Sequence, residues 1–248
     1  MYHKDFYITK EVWNNAFSIE VRPHKELYVP ALKKINSFSE LSLLQESDNK
    51  VTFEEFDFND TMQTCFGLQN LYEMNWKWKP LYLVDNHTHV MYFWYLARSQ
   101  GIISDNTLLY HIDEHADTRD PWVYLMKPDS EDLQKVFEYT NFTLNVGNYI
   151  IPAEKEWLIW ETIQIRGQNA LDEYNWWRYF HLESDGRSII LNLDLDFFEP
   201  ELDFIDYNLK KQVILDVAKK ANLITVCTSP YFIDQKRALK VFKDIFWT

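Results

Sequence analysis

The stretch Leu108-Leu109-Tyr110-His111-Ile112-Asp113-Glu114-His115-Ala116-Asp117 constrains the chain more than any other. It opens as an apolar strand and closes on ligand-type residues at alternate positions. Side chains in extended backbone alternate faces with a period of two. If strand geometry persists, Asp113, His115 and Asp117 share one face. Two carboxylates and an imidazole gathered in one desolvated volume repel and lose hydration unless a cation lies between them. Ser188 to Phe198 repeats the plan, an apolar run that delivers Asp194 and Asp196, again two apart. A third apolar run, Pro80 to Val84, leads into Asp85-Asn86-His87. Three buried strands that end in Asp and His point to a metal site.

Helical segments separate these strands. His87 to Gln100 reads as a helix closed by Gly101, and Ser130 to Tyr139 as one begun by Asp129 or Ser130. Tyr207 to Ala221 and Asp234 to Phe246 read as two more, around a strand at Leu223 to Cys227. Leu144 to Ile151 and Trp157 to Ile165 read as a strand and a helix, or as two strands. Such alternation predicts an α/β protein whose mostly parallel sheet is covered on both faces. In these folds ligands bind beyond the carboxyl ends of the strands. Every candidate ligand lies there.

The first 60 residues have a different texture. Alternation in Phe17 to Arg22 and in Val51 to Phe58 predicts edge or hairpin strands with one wet face. Pro23 and Pro30 interrupt the pattern, and Ala31 to Leu44 has room for a short helix. His3 and His24 read as surface residues. The length of 248 residues suits one catalytic domain, 1–248, with 1–75 as a β-rich extension packed on it.

A formal net charge of -13 argues against a nucleic-acid surface, which needs basic patches, and is compatible with a cationic partner. Two cysteines, Cys65 and Cys227, rule against a disulfide framework or a cysteine zinc site. Cys227 reads as a small buried hydrophobe. No apolar run is long enough to span a bilayer and no signal-peptide pattern opens the chain, so the expected location is the cytoplasm, away from membranes.

The ligand inventory is His87, Asp113, His115, Asp117, Asp194 and Asp196. Four carboxylates and two imidazoles exceed what one tetrahedral zinc takes, and suit two octahedral divalent ions. Manganese fits this oxygen-rich set, with iron(II) or another divalent ion as the substitute. Two such ions generate a nucleophilic hydroxide at neutral pH, which is hydrolase chemistry.

The order of a His, then Asp-x-His-x-Asp, then Asp-x-Asp with Glu199-Pro200 resembles the arginase/deacetylase superfamily. Val84 to His87, His111 to Asp117, Asn145 to Ile150, Leu193 to Phe198 and Thr228 to Phe232 resemble one branch of it. That branch includes peptide arginases, which convert arginine residues of ribosomally made precursor peptides to ornithine. The resemblance covers about residues 80–235. It implies the three-layer arginase/deacetylase-like fold and a dimanganese hydrolase that releases urea through a metal-bridging hydroxide. One ion would lie on His87, Asp113, Asp117 and Asp194, and the second on Asp113, His115, Asp194 and Asp196. Asp117 would also orient the hydroxide. The expected partner is an arginine-containing precursor peptide.

Two places depart from the free-arginine enzymes of the superfamily. Where they carry a guanidinium-binding Glu, this chain reads Val226-Cys227-Thr228-Ser229-Pro230. Where they carry a mobile His, it reads Asn145-Val146-Gly147-Asn148. Candidates for substrate binding are therefore Asn145, Asn148, Glu154 and Ser229, with Glu156 and Asp234 as further guanidinium partners. His89 is the candidate proton shuttle, with His111 and His181 behind it. Trp176, Trp177, Tyr179 and Phe180 are candidates to line a peptide groove. Alternatives are a deacylase or small-guanidine ureohydrolase on the same scaffold, or a metal-dependent binding module without turnover.

Overall fold

The computed structural model describes residues 1–11, 20–181 and 186–247, without the side chains of Phe38 and of residues 175–181. Phe17 to Ile19, the first half of one predicted alternation, lie outside the described residues. So do the side chains of Trp176, Trp177, Tyr179, Phe180 and His181.

In chain order the strands and helices are β1 (Phe6–Ile8), β2 (Leu27–Val29), β3 (Leu32–Lys34), β4 (Glu46–Phe56), β5 (Met62–Leu68), β6 (Leu71–Trp76), β7 (Lys79–Val84), α1 (Val90–Ser99), β8 (Thr107–Ile112), α2 (Leu133–Phe142), α3 (Ile150–Lys155), β9 (Ile159–Ile165), α4 (Gln168–His181), β10 (Ile189–Asp194), α5 (Tyr207–Lys220), β11 (Leu223–Cys227) and α6 (Gln235–Phe246). Seven strands form the central sheet in the order β3-β6-β7-β11-β10-β8-β9. Neighbours pair parallel except β6 with β7. The protein is thus α/β with a mostly parallel sheet between two helical layers.

Both faces of the sheet are covered, which is why β8, β10 and β11 are apolar at almost every position and buried throughout. On one face Leu191, Leu193 and Ile224 pack with Val213, Ile214 and Val217 of α5 and Phe242 of α6. On the other, Leu109, Ile190 and Leu223 pack with Met91, Phe93 and Trp94 of α1, Val136 of α2 and Ile150 of α3. Alternate residues of one strand thus feed opposite cores. Helix α6 buries Ala238, Leu239, Val241, Phe242, Ile245 and Phe246, an apolar stripe at helical spacing. Helix α1 stops where Gly101 takes φ +71, a conformation in which a Cβ is costly.

Three expectations change in detail. Residues Asp129–Glu131 form a separate 3₁₀ turn, and α2 begins only after Asp132, whose extended backbone breaks the helix and whose carboxylate accepts from Gln134 N at 2.8 Å. Leu144 to Ile151, expected as a strand, is loop up to Tyr149 and then the start of helix Ile150–Lys155, whereas the second segment holds the strand Ile159–Ile165. Within the first 76 residues β3 and β6 join the central sheet, while β1–β2 and the β4–β5 hairpin form two separate two-stranded sheets. The short helix expected within 31–44 is the 3₁₀ segment Phe38–Leu43. Among the described residues no helix is long and apolar enough to cross a membrane.

The hairpin is fastened to the sheet through Asp85, which is fully buried and accepts from Leu68 N at 3.2 Å and Asn86 N at 2.9 Å. Gly67 lies against that carboxylate. A Cβ there would overlap Asp85 Oδ2 and come within 2.7 Å of Thr52 Oγ1, whereas one at Gly167 meets open space. Gly67→Ala is therefore expected to lower stability by about 1–3 kcal/mol, the usual cost of overpacking, and Gly167→Ala by no more than about 1 kcal/mol. Denaturant midpoints of the two variants check this.

Candidate metal centre

Register brings the donors together. Asp194 ends β10 opposite Cys227 at the end of β11, and Cys227 in turn faces Val84 at the end of β7. Leu193 pairs with Ile112, the last residue of β8. Asp194 at its strand end and His87 and Asp113 just beyond theirs therefore meet at the carboxyl edge of the sheet.

His87 Nδ1 lies 3.1 Å from Asp113 Oδ2, 3.2 Å from Asp117 Oδ2 and 3.0 Å from Asp194 Oδ2. All four residues are buried. His87 Nδ1 and Asp113 Oδ2 have no hydrogen-bond partner of acceptable geometry. One N–H can satisfy one carboxylate, not three at once. Donors around an octahedral ion with bonds of about 2.1 Å stand about 3 Å apart, the spacing found here. Beside this group His115 Nδ1 lies 2.9 Å from Asp196 Oδ2 and 3.6 Å from Asp113 Oδ1. Asp113 belongs to both groups. These histidines and aspartates form a set that could hold metal, with oxygen and imidazole donors.

The geometry of convergence is not the predicted one. Strand β8 ends at Ile112, and Asp117 adopts φ +51. His115 N donates back to Asp113 Oδ1 in a tight turn. Strand β10 ends at Asp194, Asp196 stands in the 3₁₀ segment Leu195–Phe198, and its N–H donates to Asp194 Oδ1 at 3.0 Å. A spacing of two here marks an Asp side chain capping the residue two places on, not an alternating strand.

A buried network holds the donors from behind. Trp94 Nε1 donates to Thr225 Oγ1 at 3.2 Å, and that hydroxyl to Asn192 Oδ1 at 2.8 Å. Asn192 Nδ2 donates to His111 Nδ1 and to the Tyr149 hydroxyl, each at 3.0 Å. With Nδ1 accepting, His111 carries its proton on Nε2 and donates to His115 O at 3.1 Å. The Ser229 hydroxyl donates to Asp194 Oδ2, and Cys227 Sγ lies 3.1 Å from that hydroxyl. Such partners fix ligand orientation and usually matter 10–100-fold in metal affinity.

The electrostatics express the same crowding. Burial opposes a charge on His87, yet Asp194, Asp113 and Asp117 together raise its pKa well above the usual value. At half-exposed His115 burial is again outweighed, here by Asp113 and Asp196, and the pKa rises to about 11. Burial, reinforced by Asp113, raises that of Asp117, and burial with Asp194 raises that of Asp196. Asp113 goes the other way, because His111, His115 and His87 overcome its burial. Raised histidine pKa values and raised pKa values at Asp117 and Asp196 both lower the net negative charge of the cluster.

A cavity of about 550 Å³ opens over the donors and is lined by His87, Asp113, His115, Asp117 and Asp194. Phe53, Glu55 and Phe56 of β4 form one wall, and Tyr231 and Phe232 another. Arg119, Arg166, Val146 and Gly147 complete it. Phe232 lies against the His115 ring with centroids 4.4 Å apart.

Of the predicted substrate residues, Ser229 lines the cavity, and its hydroxyl serves Asp194. Asn145 and Asn148 shape the wall without lining it. Asn145 Oδ1 accepts from Gly147 N and Asn148 Oδ1 from Asn145 N, which leaves Val146 and Gly147 facing inward. Glu154 and Glu156 stand apart, because Glu154 accepts from Thr162 Oγ1 at 2.6 Å and buried Glu156 pairs with Arg98 at 3.0 Å. Asp234 caps α6 through Arg237 N. His89 is buried 2.9 Å from the Tyr2 hydroxyl, outside the cavity lining, and burial lowers its pKa to about 4. Cys227 is buried with its thiol pKa raised by burial, and its sulfur is near enough to His87 and Asp194 to be a third donor. Sequence reasoning missed Glu55, Arg119 and Arg166. Glu55 shares its face of β4 with Phe53, and an acid two places from an aromatic was the available signal.

No family model matches this chain, and no curated protein does.

Metal binding requires neutral histidines, so it expels the protons held by His87 and His115. A raised histidine pKa contributes stability that is complete below the unfolded value of about 6.5 and is lost as pH rises toward the folded one. The depressed Asp113 acts oppositely, but only as pH falls through the carboxylate range. The melting-temperature gap between manganese-loaded and metal-free protein is therefore expected to widen from about pH 6 to about pH 8. Scanning calorimetry with and without manganese checks this, and calorimetric titration in buffers of differing ionisation enthalpy should record proton release.

Proposed function

We propose that this chain is a dinuclear, manganese-type hydrolase that converts arginine residues of a peptide to ornithine and urea, as its resemblance to the peptide arginases implies. The observation that carries the reading is the pair of donor groups sharing Asp113. His87 with Asp113, Asp117 and Asp194 would hold one ion, and His115 with Asp113 and Asp196 the other, joined by Asp194. When bound, such ions polarise the substrate and supply a nucleophile from water at neutral pH.

The chain's own residues account for binding and orientation. Among the described cavity-lining residues Glu55 is the acid outside the donor set, and it would be the partner of a guanidinium bound over the metals. Phe53, Phe56, Tyr231 and Phe232 give aromatic walls on which a guanidinium can lie. Ser229 and the Asn192–His111 pair keep Asp194 and the 113–117 loop in place. Water adds to the guanidinium carbon, and the bond from that carbon to the side-chain nitrogen breaks. The electron pair stays on that nitrogen, which takes a proton and becomes the ornithine amine.

Arg119 and Arg166 in the same cavity favour a second reading. A free guanidino acid would present a carboxylate to them, which would make the protein a small-guanidine ureohydrolase. Urea release from free arginine and from arginine-bearing peptides separates the two, and mass spectrometry of the peptide should show guanidino groups replaced by amines. A clear preference for the free amino acid would refute the peptide reading.

Asp113→Ala and Asp194→Ala are expected to abolish turnover and lower metal content, because each leaves the other buried donors uncompensated. Glu55→Gln should keep the metals and lose about 10–100-fold in kcat/KM, the worth of a charge-assisted contact to the substrate. Metal analysis beside steady-state kinetics checks all three variants.

A further inference from the structure

Tyr231 and Phe232 line two cavities at once. Beyond the one over the metal residues lies a second of about 530 Å³, bounded by Thr64, Cys65 and Phe66 of β5 on one side and by the 230–235 loop on the other. Strand β5 pairs only with β4 among the described residues, so alternate backbone groups on its other edge have no ladder partner. Among the described residues the lining carries three carboxylates, Glu46, Asp48 and Asp234, and no lysine or arginine. Glu46 shares its charge with exposed Lys236 at 3.5 Å, which leaves Asp48 and Asp234 as the main sources of field.

Gln235 points independently to a ligand. It is 6% exposed and lines this second cavity. Its Nε2 is used, donating to Thr228 O at 2.8 Å, but its buried Oε1 has no partner. A buried acceptor left unmade costs about 1–3 kcal/mol, so a donor arriving there is favoured.

We infer that the two cavities form one groove for an extended peptide. The reacting arginine enters the metal cavity and a neighbouring, positively charged segment lies over the second, supplying donors to Gln235 and to the free edge of β5. This deepens the peptide reading and rests on it. The two halves differ in charge: the first cavity sets Arg119 and Arg166 beside Glu55 and the carboxylates of the candidate metal site, whereas the described lining of the second has three carboxylates and no arginine. A cationic flank is drawn to the carboxylate half and an acidic flank is repelled from it. Edge addition supplies main-chain bonds, and the charges decide which sequences and which orientation bind.

The test uses fluorescein-labelled peptides with one central arginine and a flank of lysines, glutamines or glutamates, placed on either side. Anisotropy with the full-length, manganese-loaded protein reads binding, and urea release reads turnover separately. The lysine-flanked peptide in one of its two orientations should bind about tenfold or more tighter than the glutamine one at low ionic strength, and the glutamate one weakest. The difference should shrink as salt is raised. Asp48→Lys combined with Asp234→Asn, which keeps a capping side chain on α6, should bring the lysine-to-glutamine ratio close to one, with an unchanged melting temperature as the fold control. Equal affinity for all three flanks, or a ratio the double variant leaves intact, overturns the groove. Charge-selective binding without urea release keeps the groove and sinks the arginase reading. Turnover without charge selectivity does the reverse.

Discussion

Mutual repulsion among Asp113, Asp117, Asp194 and Asp196 is the interaction on which the rest of the structure depends. These carboxylates are buried at the end of a sheet that is covered on both faces. Their backbones cannot retreat without breaking the register that pairs Leu193 with Ile112 and Asp194 with Cys227. The sheet thus forces together groups that would separate in water. The conflict is relieved by positive charge, from a proton on His87 or His115 or from a metal, and by the raised pKa values of Asp117 and Asp196. Relaxation of a buried charge of this kind is worth several kcal/mol, comparable with the net stability of a domain.

The strands were legible because a parallel strand buried on both faces must be apolar along its whole length, as β8, β10 and β11 are. That the six histidine and aspartate residues gather at the strand ends was legible too, although the period-two argument reached it through the wrong geometry. A carboxylate that accepts the N–H two residues on also produces a spacing of two, and both Asp113 and Asp194 do this. Sequence spacing cannot separate the two geometries, since both place residues i and i+2 near one point. What differs is the backbone that follows, including the φ of +51 at Asp117. Asn145 and Asn148 were misplaced for a similar reason, because amides beside a site serve a ligand or their own loop equally well. Here they serve the loop.

The cavity walls were the least legible part. Phe53, Glu55 and Phe56 come from a hairpin whose alternating pattern fixes which residues share a face but not what that face meets. Long-range contacts decide that. Tyr231 donates its hydroxyl to Phe56 O at 2.7 Å, and its ring lies 5.5 Å from that of Phe53. Through these contacts the loop after β11 pins the hairpin over the metal residues.

This arrangement separates two tasks along the chain. The central strands position the donors, and their tolerance for change is small because every neighbour is buried and hydrogen-bonded. The β4–β5 hairpin and the 229–235 loop position aromatic and acidic side chains around the opening, where backbone shifts cost less. Substitutions at Glu55 or Phe56 therefore alter what enters the cavity without altering the donor set. Gly67 couples the two parts, since its missing side chain lets the hairpin close onto Asp85, two residues before His87. A single carboxylate thus ties the cavity wall to the strand end that delivers His87, and disturbance of the hairpin at that point reaches the candidate metal site as well as the wall.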